Sequence, residues 1–144
     1  LANTKFVLGS VIVAELWRGI PFFAISLLAA MQGLPDDIYE AARVDGSTKF
    51  QTFRFITLPM LKNTIVLTTL LRTIWEFNSV DLIYSLTGGG PVGKTTTLSM
   101  LIANQAIKTS NYGYGSALSV VSFAILAVIA VIYMKLSGFG KEEA

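Results

Sequence analysis

Three long apolar stretches alternate with two more polar connections along this chain. Residues 112–134 contain no charged residue, whereas the stretches at residues 7–31 and 61–86 are apolar but carry charges within them. Each stretch exceeds the roughly 20 helical residues needed to cross a hydrocarbon core about 30 Å thick. The pattern predicts three transmembrane helices, at residues 7–31, 61–86 and 112–136.

The charges inside the first two stretches follow helical spacing. A charge at the centre of a lipid-facing helix costs about 2.5–3.5 kcal/mol, so these side chains should face other polar groups. Each segment places them on one stripe. The stripes are Glu15, Arg18, Gly19 and Phe22 on one segment, and Arg72, Glu76 and Ser79 on the other. Glu15 with Arg18, and Arg72 with Glu76, are either structural ion pairs or the lining of a polar path. We favour the path, because intramembrane ionisable groups are functional by default.

Residues 33–59 form the most polar stretch and predict two short helices joined by a tight turn. The signals for this hairpin are helix caps, a residue that tolerates a left-handed backbone, and a proline that disfavours helix in the residue before it. In chain order they are an Asp37–Glu40 capping box, a left-handed stop at Gly46, a Ser47 cap, and a helix end before Pro59.

Composition excludes several classes of protein. Only 14% of the 144 residues are charged, against about 25% in ordinary soluble domains, and 53% are hydrophobic. Because Cys and His are both missing from the sequence, disulfide scaffolds, thiolate zinc sites, cysteine nucleophiles and Ser-His triads are excluded. A net charge of +2 is too small for a nucleic-acid binder. The start at Leu1 has no basic region or cleavage site of a signal peptide, so we expect a fragment of a longer chain.

The polar loop resembles the EAA loop of permease subunits in binding-protein-dependent ABC importers. The matching residues are Glu40-Ala41-Ala42, Asp45-Gly46, Ile56 and Leu58-Pro59. Strings on both sides are similar to the sugar-importing branch related to the maltose permease. These are Leu16-Trp17-Arg18-Gly19-Ile20-Pro21-Phe22-Phe23 and Thr87-Gly88-Gly89-Gly90-Pro91.

The resemblance implies an all-α, polytopic permease fold of the MetI-like type in a prokaryotic inner membrane. It implies a non-enzymatic subunit without cofactor or metal, whose partners are a cytoplasmic ATPase dimer that binds ATP and magnesium, a second permease, an extracytoplasmic solute-binding protein and a sugar. The residues that it assigns to ATPase coupling are Glu40, Ala41, Ala42, Asp45, Gly46, Leu58 and Pro59. By the same resemblance, the two stripes lie where the sugar path runs, and the present chain corresponds to the C-terminal portion of such a permease.

Basic residues indicate the orientation. Four lie in residues 33–62 and two in the last ten residues, which favours a cytoplasmic loop at 33–59 and a cytoplasmic tail at 137–144. Residues 88–111 are then extracytoplasmic, and we expect a short helix within residues 95–108.

Two alternatives come from other classes. Residues 88–95 match the phosphate-binding pattern G-x-x-x-x-G-K-[ST]. However, no Asp or Glu lies between Asp81 and Glu142 to hold magnesium, so we interpret these glycines as a tight turn. The other alternative is an ion-coupled carrier whose proton relay uses Glu15, Arg18, Arg72, Glu76 and Asp81.

Overall fold

A computed structural model describes residues 5–139, and this part of the chain is built from helices and turns. The α-helices are α1 (Val7–Gln32), α2 (Asp36–Val44), α3 (Lys49–Thr52), α4 (Leu58–Met60), α5 (Lys62–Asn78), α6 (Asp81–Thr87), α7 (Leu98–Ala103) and α8 (Tyr112–Ser137). Two π-helical turns, Phe53–Thr57 and Asn104–Lys108, follow α3 and α7. The predicted all-α architecture is confirmed for these residues, and the tail beyond residue 139 lies outside them.

Two helices are long and apolar enough to cross a membrane. These are α1 and α8, each of 26 residues, which at 1.5 Å per residue extend about 39 Å. They match the predicted segments at 7–31 and 112–136.

The predicted continuous helix over residues 61–86 is wrong. Helix α5 has 17 residues, at the lower limit for a span, and it ends at Asn78 because Ser79 adopts an extended backbone with ψ 130°. Helix α6 begins two residues later. Polar side chains take over at this point: Asn78 Nδ2 donates to the Ile74 carbonyl, and Ser99 of α7 donates to the Phe77 carbonyl. Such side-chain bonds compete with the helical backbone pattern and break the helix here.

Helix α5 is the centre of the packing. It contacts α1 on one side and α8 on another, while α7 and its π turn pack on α8 and α6 packs on α1. Val11, Ile83 and Met100 form a buried cluster that joins α1, α6 and α7. Gly115 allows α8 to approach closely, since a Cβ there would lie 3.7 Å from the Ile102 carbonyl oxygen.

Much apolar surface stays exposed on the two long helices. In α8 the buried residues are small, Gly115 and Ser122, whereas Val120 and Phe123 are more than two-thirds exposed. Large exposed apolar faces mark surfaces that meet lipid or other protein segments.

The polar hairpin forms with different caps from those predicted. Helix α2 begins at Asp36 after an extended Pro35 and has no side-chain cap, so the Asp37–Glu40 capping box is wrong. The acids of its first turn instead favour the positive end of the helix dipole. Thr48, rather than Ser47, caps α3 and forms a capping box with Gln51. Gly46 takes φ +75°, as predicted for a left-handed stop.

The second helix of the hairpin continues through Pro59 instead of ending before it. The π-helical turn at Phe53–Thr57 is followed directly by α4, whose first turn contains Pro59. A proline is tolerated in a first turn, where its missing N–H group needs no intrahelical partner. The predicted stop at this proline is therefore wrong.

Candidate functional site

The two predicted polar stripes meet between α1 and α5. Each helix contains its own ion pair: Arg18 Nε lies 3.0 Å from Glu15 Oε2, and Arg72 Nη2 lies 2.7 Å from Glu76 Oε2. The pairs also cross between the helices, with Arg18 Nη2 at 3.5 Å from Glu76 Oε1 and Arg72 Nη2 at 4.0 Å from Glu15 Oε2. We call these four residues the charged cluster.

Arg18 extends this network over the break between α5 and α6. Its Nη2 donates to Ser79 Oγ at 2.8 Å, and its Nη1 donates to Asp81 Oδ2 at 2.9 Å. Ser79 Oγ in turn donates to Asp81 Oδ1 at 2.9 Å. One guanidinium thus joins α1 to the end of α5 and the start of α6. The sequence placed Asp81 only in the relay hypothesis, because its partner is remote in the chain.

The inner part of the charged cluster is well shielded. The Glu15 and Arg72 side chains are only 16% and 17% exposed, and Glu15 Oε2, Arg18 Nε and Glu76 Oε2 are buried without a well-aligned hydrogen bond. Their attraction is therefore mainly Coulombic, and it is strong where water is excluded. Gly19 supplies the room for it, since a Cβ there would lie 3.2 Å from Arg72 Nε.

The charged cluster lies between two openings. On one side is a cleft of about 520 Å³, which we call the polar cleft, lined by Arg18, Arg72, Ile74, Trp75, Asn78, Ser79 and Asp81. On the other side is a more apolar groove of about 730 Å³ between α1 and α5, to which Glu15, Gly19, Arg72 and Glu76 contribute. Arg72 lines both openings.

Phe22 lies beside the polar cleft rather than in it. Its ring packs edge-on against Trp75, with centroids 5.1 Å apart and an interplanar angle of 60°. Trp75, which is 53% exposed, is the aromatic wall of the cleft. Sequence reasoning missed Trp75 and Asn78, although Trp75 follows Arg72 at the i+3 spacing that defined the stripe.

The residues assigned to coupling lie together in the hairpin, away from the charged cluster in sequence. Glu40 is exposed and sits 3.6 Å from Arg43 one turn later. Ala41 is exposed and Ala42 is buried. Asp45 and Gly46 line a recess of about 350 Å³ with part of α3. Leu58 is half-buried and Pro59 is exposed at the far end of the hairpin.

A hydrogen bond makes the two arms of the hairpin one unit. Tyr39 of α2 and Thr57 of the π turn share a hydrogen bond of 3.1 Å between their hydroxyl oxygens. Ser47 Oγ, at the turn itself, donates to the Ala42 carbonyl at 2.7 Å. The exposed Glu40 is thus carried on a cross-linked support.

The glycine-rich segment does not form a phosphate-binding loop. The backbone N–H groups of Lys94, Thr95 and Thr96 donate to carbonyls of the same segment, at 3.1, 3.3 and 3.1 Å. A phosphate loop instead directs such N–H groups at its ligand. Gly88, Gly89 and Gly93 have positive φ, as expected of a tight turn. The short helix predicted in this segment corresponds to α7, which Thr97 caps.

Comparison with known proteins gives the family. Residues 1–138 match the family described as the inner membrane component of binding-protein-dependent transport systems. The chain belongs to this family. The match spans the charged cluster, the hairpin and the glycine-rich turn together, and it confirms the resemblance derived from the EAA string.

Relatives within the family are sugar permeases by name. The chain is 40% identical over 133 residues to the trehalose/maltose transport system permease protein MalF of Thermococcus litoralis. It is 42% identical over 131 residues to the trehalose transport system permease protein SugA of Mycobacterium tuberculosis. These matches cover 92% and 91% of this chain but 45% and 42% of the relatives. The chain therefore spans less than half the length of these relatives, and the comparisons do not favour the ion-coupled carrier.

Proposed function

We propose that the chain forms the C-terminal part of a permease subunit that carries a sugar across a prokaryotic inner membrane, driven by a separate ATPase. The observation that carries this proposal is the charged cluster between α1 and α5 beside an open polar cleft, in a chain of the transport family. Intramembrane ion pairs that border a cavity are typical of substrate pathways. The names of the relatives support a sugar as cargo.

The polar cleft has the chemistry that a sugar requires. Ionised side chains make hydrogen bonds roughly twice as strong as neutral ones, and a sugar offers many hydroxyl groups. The Trp75 ring gives an apolar face for the ring carbons. In this proposal the path residues are Glu15, Arg18, Gly19, Arg72, Glu76 and Ser79, with Phe22 supporting Trp75 from behind.

The hairpin is the proposed contact with the ATPase. Glu40 projects from a cross-linked pair of short helices, so a force applied there is transmitted to α5, which begins one residue after α4 ends. Glu40, Ala41, Ala42, Asp45, Gly46, Leu58 and Pro59 form the coupling element in this proposal. ATP and magnesium are bound by the partner ATPase, and a second permease and an external binding protein complete the transporter.

The proposed topology puts the hairpin and the glycine-rich turn on opposite sides of the membrane. Lys49 and Lys94 are both exposed, and the native chain contains no cysteine. We expect Lys49→Cys to react with a membrane-impermeant maleimide only in inside-out vesicles, and Lys94→Cys only in intact, outer-membrane-permeabilised cells. A permeant maleimide is the control for accessibility. Labelling of both cysteines from one side would contradict the topology.

The function itself is tested by uptake into proteoliposomes. The complete transporter, containing the full-length permease, is reconstituted with its binding protein and offered labelled maltose and trehalose. We expect uptake that requires internal ATP and persists when a protonophore collapses the proton gradient. Uptake that follows the proton gradient without ATP would support the ion-coupled carrier instead. No uptake of either sugar would contradict the proposed cargo.

A further inference from the structure

Asp81 is the carboxylate that lines the polar cleft. Its side chain is 76% exposed, whereas the side chains of Glu15 and Glu76 are 16% and 33% exposed and face the apolar groove on the other side of the charged cluster. A ligand in the cleft therefore meets the oxygens of Asp81 before those of the other two carboxylates.

These oxygens keep unused acceptor capacity. A carboxylate offers about four lone-pair sites to donors. In this structure Oδ2 accepts from Arg18 and Oδ1 accepts from Ser79. About half of the acceptor sites thus stay open on a largely exposed group. The contacts with Arg18 and Ser79 also fix the orientation of the carboxylate, so little conformational entropy is lost when a ligand binds.

The other polar groups of the cleft offer few matching donors. Arg18 is engaged with Glu15, Glu76, Ser79 and Asp81, and Arg72 is held by Glu76. Asn78 donates its amide to the Ile74 carbonyl, which leaves its own oxygen as an acceptor. The cleft is consequently richer in open acceptors than in open donors.

We propose that Asp81 is a specificity-determining residue, which accepts hydrogen bonds from hydroxyl or ammonium groups of a sugar and disfavours sugars that carry a carboxylate or sulfonate. This inference rests on the proposed function, because it assigns a preference to the same cleft. An acidic sugar would bring acceptor-only oxygens and a negative charge against Asp81. A neutral or amino sugar brings donors.

The test is equilibrium binding to the purified transporter in nanodiscs, without the binding protein, so that only the transporter selects. The probes are maltose and trehalose, with the 6-amino-6-deoxy and 6-carboxyl derivative of each. Because a hydrogen bond to a charged group is worth about 1.5–3 kcal/mol, we expect the acid to bind about tenfold or more weaker than the parent sugar. In Asp81→Asn this ratio should fall close to one, and Asp81→Glu should restore it.

Ser85→Asn is the matched control, because it places the same amide on an exposed position of α6 outside the cleft. It should keep the wild-type ratio. If Asp81→Asn disturbs Arg18 and assembly, Asp81→Ser removes the charge with a smaller side chain, and the ratio is again measured within the assembled complex. An unchanged ratio in the neutral variants overturns the role of Asp81 alone. Uptake without measurable binding to the cleft also overturns it, whereas failure of wild-type uptake overturns the proposed function as well.

Discussion

Replacing Glu40 by lysine is expected to abolish ATP-driven uptake while the permease stays inserted and assembled. Glu40 is exposed on α2, and its described ionic partner is Arg43 at 3.6 Å. Losing an i,i+3 pair and gaining a like-charge pair costs the helix only about 0.2–0.5 kcal/mol each. Losing one partner of a charge pair at a protein interface costs about 2–5 kcal/mol, and charge reversal adds repulsion. Coupling should therefore fail long before the hairpin unfolds.

Arg43→Glu separates the two explanations of such a loss. It breaks the same pair inside α2 and also reverses one charge, but it leaves Glu40 in place. If Glu40 meets a basic residue of the ATPase, Arg43→Glu should keep most of the uptake and ATPase stimulation. Equal loss in both variants would show that the pair within α2 matters and would remove the docking role of Glu40.

Replacing Arg18 by methionine is expected to cause the largest loss of stability. Arg18 connects Glu15 of α1 with Ser79 and Asp81 beyond α5, and its removal leaves three carboxylates to share Arg72. Breaking a buried ion pair costs about 3–5 kcal/mol, and the 32% exposure of Arg18 reduces this to roughly 2 kcal/mol. Methionine has a helix propensity similar to that of arginine, so the loss reports on the network.

The measurement is the thermal unfolding midpoint of the purified transporter. Arg54→Met, at an exposed position of the π turn, is the control for losing an arginine. We expect a clear decrease in the midpoint for Arg18→Met and almost none for Arg54→Met. Equal midpoints would show that the contacts across the α5–α6 break contribute little to stability.

The sequence predicts the long helices and the meeting of their polar stripes for a simple physical reason. Charges in an apolar segment must find partners, and helical spacing leaves few faces on which they can do so. Glu15, Arg18, Arg72 and Glu76 can therefore be assigned to facing stripes from their spacing alone. That spacing does not show that Arg18 also reaches Ser79 and Asp81, because this depends on how α1 and α6 pack.

The errors lie where tertiary contacts override local signals. The helix over residues 61–86 breaks at Ser79 because side chains of α1 and α7 satisfy the polar groups there, and apolar composition carries no trace of that. In the hairpin, two residues could have capped α3, and the structure uses Thr48 because Ser47 is bonded to the preceding helix. Pro59 is accommodated by the π turn before it, a feature without a sequence signature.

Glu15→Gln and Glu76→Gln test most directly whether the charged cluster lines the sugar path. In either variant both arginines keep a carboxylate neighbour: Asp81 still pairs with Arg18, and either Glu76 or Glu15 still faces Arg72. Assembly should therefore survive, and the measurement is the apparent sugar affinity and uptake rate per purified complex. The account predicts that transport per complex changes more than complex yield. Normal transport per complex together with a low yield would contradict it, because the cluster would then act only as a structural link between helices.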